Sequence, residues 1–133
     1  MGVFSCYTIK VHKGETMTVA PLSLTARVEM WAMDLVDALE ADYKRRYPNS
    51  FHDKKFEVKV GRKYLKINQI DVRDGVEFGG GVHAFIDKNT GEVYKPASWR
   101  APAKHVRYDL RIINQREECL ARADWAGGYL YLR

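Results

Sequence analysis

Cysteine is scarce in this chain: Cys6 and Cys119 are the only two among 133 residues. They form no Cys-x-x-Cys pair, which excludes a cysteine-based zinc or redox motif and leaves two reduced thiols as the expectation. A reducing, intracellular setting agrees with that usage. Proline is sparse too, with four residues, and no low-complexity tract or internal repeat of 20–50 residues is present. That argues against a solenoid and against long disordered linkers. No apolar run approaches the roughly 20 residues a bilayer-crossing helix needs, so no membrane partner is expected. Met1 to Val11 shows no basic stretch followed by a long apolar core, and a secretory leader is not expected there.

Catalytic signatures are equally thin. His12, His52, His83 and His105 have no metal-ligand spacing of the His-x-x-x-His kind. Asp34, Asp37, Glu40 and Asp42 sit at positions that read as a solvated acidic face. Cys119 follows Glu117 and Glu118, whose charges disfavour a thiolate. Gly79-Gly80-Gly81 lacks the Lys-Ser/Thr of a phosphate loop and is followed by no helix pattern, so it reads as a flexible turn. Asp87 to Glu92 misses the later ligands of a calcium loop. An enzyme, a metal and a cofactor are therefore not expected.

What is present describes one ordinary globular domain over residues 1–133. Apolar residues make up 46% and charged residues 29%, near the values of typical domains. The net charge of +5 is unevenly placed. Residues 54–66 carry Lys54, Lys55, Lys59, Arg62, Lys63 and Lys66 against Glu57 alone. Residues 95–111 carry Lys95, Arg100, Lys104, Arg107 and Arg111 against Asp109. Residues 23–42 reverse the sign, with five acidic residues against Arg27. A field polarised in this way steers anionic partners.

The pattern along the chain predicts an α+β fold. Val3 to Val11 and Thr16 to Ala20 read as strands of an N-terminal hairpin turning at residues 12–15. Pro21 closes the second strand, and Ser23 is placed to cap a helix. From Leu24 to Arg46, Leu24, Val28, Ala32, Leu35, Leu39 and Tyr43 recur every three or four residues, drawing one apolar stripe along that helix. Met30, Trp31 and Met33 widen it, for a deep core or a dimer face. Phe56, Val58 and Val60 alternate with Glu57 and Lys59, which predicts a strand. Turns follow at Gly61-Arg62-Lys63 and Asp74-Gly75, on either side of a strand from Tyr64 to Val72. Val82–Ile86 and Val93-Tyr94 flank a hairpin loop in which Gly91 suits a left-handed position. Val106–Ile113 reads as a strand, Gln115–Trp125 as a short helix, and Tyr129–Leu132 as a terminal strand. Together these predict an antiparallel sheet of hairpin-linked strands, covered on one face by the long helix, with a short C-terminal helix.

One stretch combines cations and aromatics in a way that suits a polyanion. Lys95, Arg100, Lys104 and Arg107 surround Trp99 in a segment braced by Pro96 and Pro102. Basic side chains neutralise phosphates, while Trp99 and Tyr108 offer planes for base stacking and Ser98 a hydroxyl donor. Lys59 and Lys66 alternate with apolar neighbours and are expected on the outer face of the sheet, extending the basic surface.

The run from Gly81 through His83, Phe85, Asp87, Thr90-Gly91, Tyr94-Lys95 and Ala97-Ser98-Trp99 to Lys104 resembles a recurring segment of small tailed-phage proteins of uncharacterised function. Gly61-Arg62-Lys63-Tyr64 and Ala123-Asp124-Trp125-Ala126-Gly127-Gly128 share in the similarity, which spans residues 60–128 and leaves out the N-terminal hairpin and the long helix. It implies a phage origin and the host bacterial cytoplasm, and it brings no activity or catalytic residue with it. The leading expectation is a non-enzymatic phage accessory protein that binds nucleic acid. The alternatives are a protein-interaction module or inhibitor of a host or defence protein, also as a homodimer, and a sequestering protein for a small anionic nucleotide.

Overall fold

Leu24–Arg46 forms a continuous helix, α1, whose start and end follow from its flanks. Ser23 Oγ accepts the Ala26 amide at 3.1 Å, satisfying one of the free donors of the first turn. Lys44, Arg45 and Arg46 fill the last turn, where cations complement the negative end of the helix dipole. The computed structural model describes residues 8–10, 16–18 and 22–131. Two short strands precede α1, β1 (Thr8–Lys10) and β2 (Thr16–Thr18), paired antiparallel as the pattern predicts. Residues 3–7, the turn at 12–15 and residues 19–20 lie outside the described residues.

Five strands follow α1 and pair in sequence order as one antiparallel sheet. They are β3 (His52–Val60), β4 (Tyr64–Arg73), β5 (Val76–Asp87), β6 (Glu92–Tyr94) and β7 (Tyr108–Asp109). A second helix, α2 (Ile113–Arg122), and a 3-10 turn at Gly128–Leu130 complete the α+β domain. The stripe of α1 (Val28, Ala32, Leu35, Leu39 and Tyr43) is buried against Phe56, Leu65, Ile67, Ala84 and Ile86 on one face of the sheet. Each such large apolar side chain withdrawn from water contributes roughly 1.5–3 kcal/mol. Asp42 ties the end of α1 to the segment after α2. Its buried carboxylate accepts from Arg45 Nη2 (2.8 Å), Arg46 Nε (3.1 Å) and the Trp125 amide (3.1 Å). Burial alone would raise its pKa, but the Trp125 amide and the Arg46 guanidinium outweigh that cost and hold it below the ordinary carboxylate value.

The sheet departs from expectation at its glycines. Gly79-Gly80-Gly81 is not a turn but part of β5, paired with Asp71, Ile70 and Gln69 of β4. The reason is a close approach of two backbones. Gly80 has φ +149°, and a Cβ there would lie 1.8 Å from the Gln69 carbonyl oxygen. The turn between β4 and β5 is the two-residue Asp74-Gly75, with φ values of 51° and 78°, the left-handed pair that suits a tight hairpin. Two register shifts, at Ile67/Asn68 and Asp71/Val72, leave His83 and Phe78 of β5 without a partner on β4. Bulges of this kind re-aim side chains. The His83 ring lies edge-on to Phe56 and stacked on Tyr129, with Nε2 2.8 Å from the Tyr129 hydroxyl.

The C-terminal third is also shorter in strand than predicted. β7 holds only Tyr108–Asp109, because the Asp109 carboxylate accepts the Arg111 amide (2.9 Å) and its carbonyl the Ile112 amide (3.1 Å), turning the chain into α2. The expected strand at Tyr129–Leu132 is instead the 3-10 turn, with Leu132 outside the described residues. The Asp124 carboxylate gathers the amides of Ala126 (2.9 Å), Gly128 (3.3 Å) and Tyr129 (3.2 Å), which bends the backbone away from an extended path.

Two stability predictions result. Gly80→Ala is expected to cost about 2–3 kcal/mol, read as a lower midpoint in urea unfolding, because the new Cβ must displace backbone. Burial lowers the His83 pKa from 6.5 to about 4, against a small opposing pull from Asp124. Below pH 6.5 the unfolded chain then binds a proton that the folded one refuses, so stability falls with falling pH until about pH 4. Between pH 6.5 and 5 the expected loss is about 1.5 kcal/mol, and His83→Phe should flatten that slope in unfolding series across pH.

Candidate functional site

The hairpin between β3 and β4 fixes an unfavourable contact. The turn at residues 61–63 sets Lys59 directly opposite Lys66 in the antiparallel register. Like charges facing each other across a strand pair destabilise it. Both side chains lie on the face of the sheet that α1 does not cover, as their alternation with Val58, Val60, Leu65 and Ile67 predicts. On that face Phe85 of β5 pairs with Lys66 and is itself buried. Its ring meets Tyr64 edge-on at 5.8 Å.

These residues enclose a cavity of about 290 Å³. Phe85 and Tyr64 form its apolar part, and Lys59, Arg62, Lys63, Lys66 and Arg100 bring five cations to it. Among the described residues none of the five forms an ion pair with a carboxylate. Two acids of the neighbouring strands β5 and β6 are engaged locally. Asp87 accepts the amides of Asn89 (2.9 Å) and Thr90 (3.2 Å). Glu92 accepts from the Thr90 and Tyr94 hydroxyls, both at 3.2 Å. Burial and the neighbouring Glu92 push the Tyr94 hydroxyl up to about 12, so it stays protonated as that donor. The cavity lining thus carries five cations and no carboxylate over an aromatic floor, a setting that attracts anions.

Arg100 reaches the cavity because its loop is pinned at the root. The Ala103 amide donates to the Lys95 carbonyl (2.7 Å), and the Ala97 and Ser98 amides to that of Ala101 (3.0 and 3.1 Å). Pro96 and Pro102 face each other across this narrow stem. At its tip Trp99 is 60% exposed, and Lys66 Nζ stands 4.8 Å from its ring centroid. The two basic stretches therefore meet, through Lys59, Arg62, Lys63 and Lys66 on one side and Trp99 and Arg100 on the other.

Not every expected site residue joins them. Arg107 braces the fold: its guanidinium donates to the carbonyls of Leu130 (2.6 Å), Lys104 (2.7 Å) and His105 (2.6 Å). Lys95 projects over the Tyr131 ring at 4.4 Å, away from the cavity. Lys104 is exposed and does not line it. Tyr108, expected as a stacking plane, is buried, and its hydroxyl donates to the Tyr129 carbonyl at 3.0 Å. Arg62, Lys63, Tyr64 and Phe85 were not expected as site residues. The signal for the first two was available, since a turn at 61–63 carries its side chains to the same end of the hairpin as Lys59 and Lys66. A larger cavity of about 480 Å³ lies beside α2, lined by Arg107, Arg122, Glu118 and three tyrosines among others. Its cations are already partnered, Arg107 by carbonyls and Arg122 by Glu118 at 3.3 Å. Cys119 is buried, and burial with the Glu118 charge pushes its thiol up to about 12, so it carries no reactive thiolate.

A family model described as a family of unknown function, DUF7717, matches residues 14–132. The chain belongs to that family. The match takes in α1 and β2 as well as the sheet, so the DUF7717 domain extends well upstream of the segment from residue 60 that carries the phage resemblance. No curated protein and no solved structure matches the chain.

The separation of brace from site gives a test. Arg107→Ala is expected to lower unfolding stability by about 2 kcal/mol, since three carbonyls lose their donor. Arg100→Ala should change it by less than about 0.5 kcal/mol in the same urea titration.

Proposed function

We propose that this DUF7717 protein is a non-catalytic phage accessory protein that binds nucleic acid in the host bacterial cytoplasm. The observation that carries the reading is the facing pair Lys59 and Lys66, joined by Arg62, Lys63 and Arg100 around one cavity with no acidic partner. A fold that sets like charges opposite each other has weakened its own hairpin, and a polyanion in the cavity reverses that cost. The phage source and the location rest on the resemblance over residues 60–128. Phosphate oxygens are the groups these side chains suit best, with Arg62 and Arg100 offering forked donors and the lysines point charges.

Binding of a labelled oligonucleotide, followed by anisotropy across a salt series, tests this. Affinity is expected to fall linearly in the logarithm of salt, by roughly 0.7–0.9 in slope per phosphate neutralised. Arg62→Ala, Lys63→Ala and Arg100→Ala combined should reduce that slope by about 2. Affinity indifferent to salt removes the proposal.

A second reading has its own support. Met30 and Met33 are 42% and 49% exposed on α1, beside Trp31, whose ring is covered by the Arg116 guanidinium at 4.4 Å. Such a surface suits a protein partner or a second copy of the chain. Light scattering that returns a dimer, abolished by Met33→Glu, favours it over the first.

A further inference from the structure

We infer that the nucleic acid taken at this site is single-stranded, with a phosphate in the basic cavity and an unstacked base held against Trp99. The inference rests on the proposed function and adds a second cavity to it. Beside the first cavity lies another of about 240 Å³, lined by Val82, Pro96, Ala97, Ser98 and Trp99. None of its five lining residues is charged, in contrast to the five cations next door. The two meet where Lys66 Nζ stands over the Trp99 ring at 4.8 Å and where Trp99 is followed by Arg100, because Lys66 and Arg100 line the first cavity and Trp99 the second. A charged compartment joined to an apolar, aromatic one matches the repeating unit of a nucleic-acid strand, a phosphate followed by a flat base.

Two features make the second cavity a place for a base. The indole is 60% exposed although its loop is tied at the root, by the Ala103 amide on the Lys95 carbonyl (2.7 Å) and the facing prolines. An indole held outward in this way is a preformed stacking plane, and little freedom is lost when a base settles on it. Ser98 Oγ accepts the amides of Arg100 and Ala101, both at 3.2 Å. Its own hydroxyl proton is left to donate to a base or phosphate. In a duplex the base faces are already stacked on one another, so only the phosphates are open to this site. A single strand satisfies both cavities at once.

Equilibrium affinities at one low salt concentration decide the matter, measured with the whole chain for a single-stranded oligonucleotide, its duplex and a mononucleotide. The single strand is expected to bind about tenfold or more tightly than the duplex, with quenching of indole fluorescence. Trp99→Leu, a change at an exposed position, should remove most of that quenching and narrow the gap by about tenfold. Equal affinity for strand and duplex, or a Trp99→Leu variant with the same preference as the parent, overturns the inference while leaving electrostatic nucleic-acid binding in place. A mononucleotide bound as tightly as the strand overturns it in favour of nucleotide sequestration. Binding of none of the three removes the proposed function as well.

Discussion

The apolar stripe of α1 is buried in one core with the sheet face formed by Phe56, Leu65, Ile67, Ala84 and Ile86 and with Leu110, Cys119 and Leu130 from the C-terminal part of the chain, and that burial on one side of the sheet governs the rest of the molecule. A helix can cover a sheet from one side only, so the opposite face must be finished by other means. Here it is finished by the loop from Lys95 to His105 and by side chains of the sheet itself. Phe85, which points away from the helix, is nevertheless buried, under Tyr64, Lys66 and the loop. Lysine stems cover apolar surface while their ammonium groups stay in water. The basic cavity thus forms where the second face is closed, with lysine stems over the apolar floor and their charges turned outward.

Within that frame the loop has two anchorages of different kind. Its stem is backbone, with Lys95 paired to Ala103 and Pro96 opposite Pro102. Its base is the Arg107 side chain, reaching three carbonyls. Five donors on one planar guanidinium make this possible, and a lysine would not reproduce the geometry. The result is a loop that is irregular in secondary structure yet hydrogen-bonded at stem and base, with an exposed indole beside Lys66.

Periodic features of the fold were legible in the chain. The three-and-four spacing from Leu24 to Tyr43, the cap at Ser23 and the alternation around Phe56, Val58 and Val60 each act locally, and local patterns are what a sequence displays. The glycine run misled because turn propensity is also local, whereas the place of Gly80 is set by the Gln69 backbone eleven positions earlier. The same limit explains the C-terminal third, where Asp124 draws in three amides and converts an alternating, strand-like segment into a 3-10 turn. At the site, Lys59 and Lys66 were readable from alternation, and the meeting of Arg100 with the β3–β4 hairpin was not, since it depends on how a loop folds over a sheet. Arg107 looked like any other cation of its stretch, because the carbonyls that engage it come from residues as distant as Leu130.

The link from Arg107 to Leu130 has a wider bearing. One guanidinium clasps the loop root and the 3-10 turn together, so the height of the indole above the sheet is inherited from a turn that touches neither of its two compartments. Substitutions in the 3-10 turn at Gly128–Leu130 therefore act on the platform through displacement rather than through altered charge.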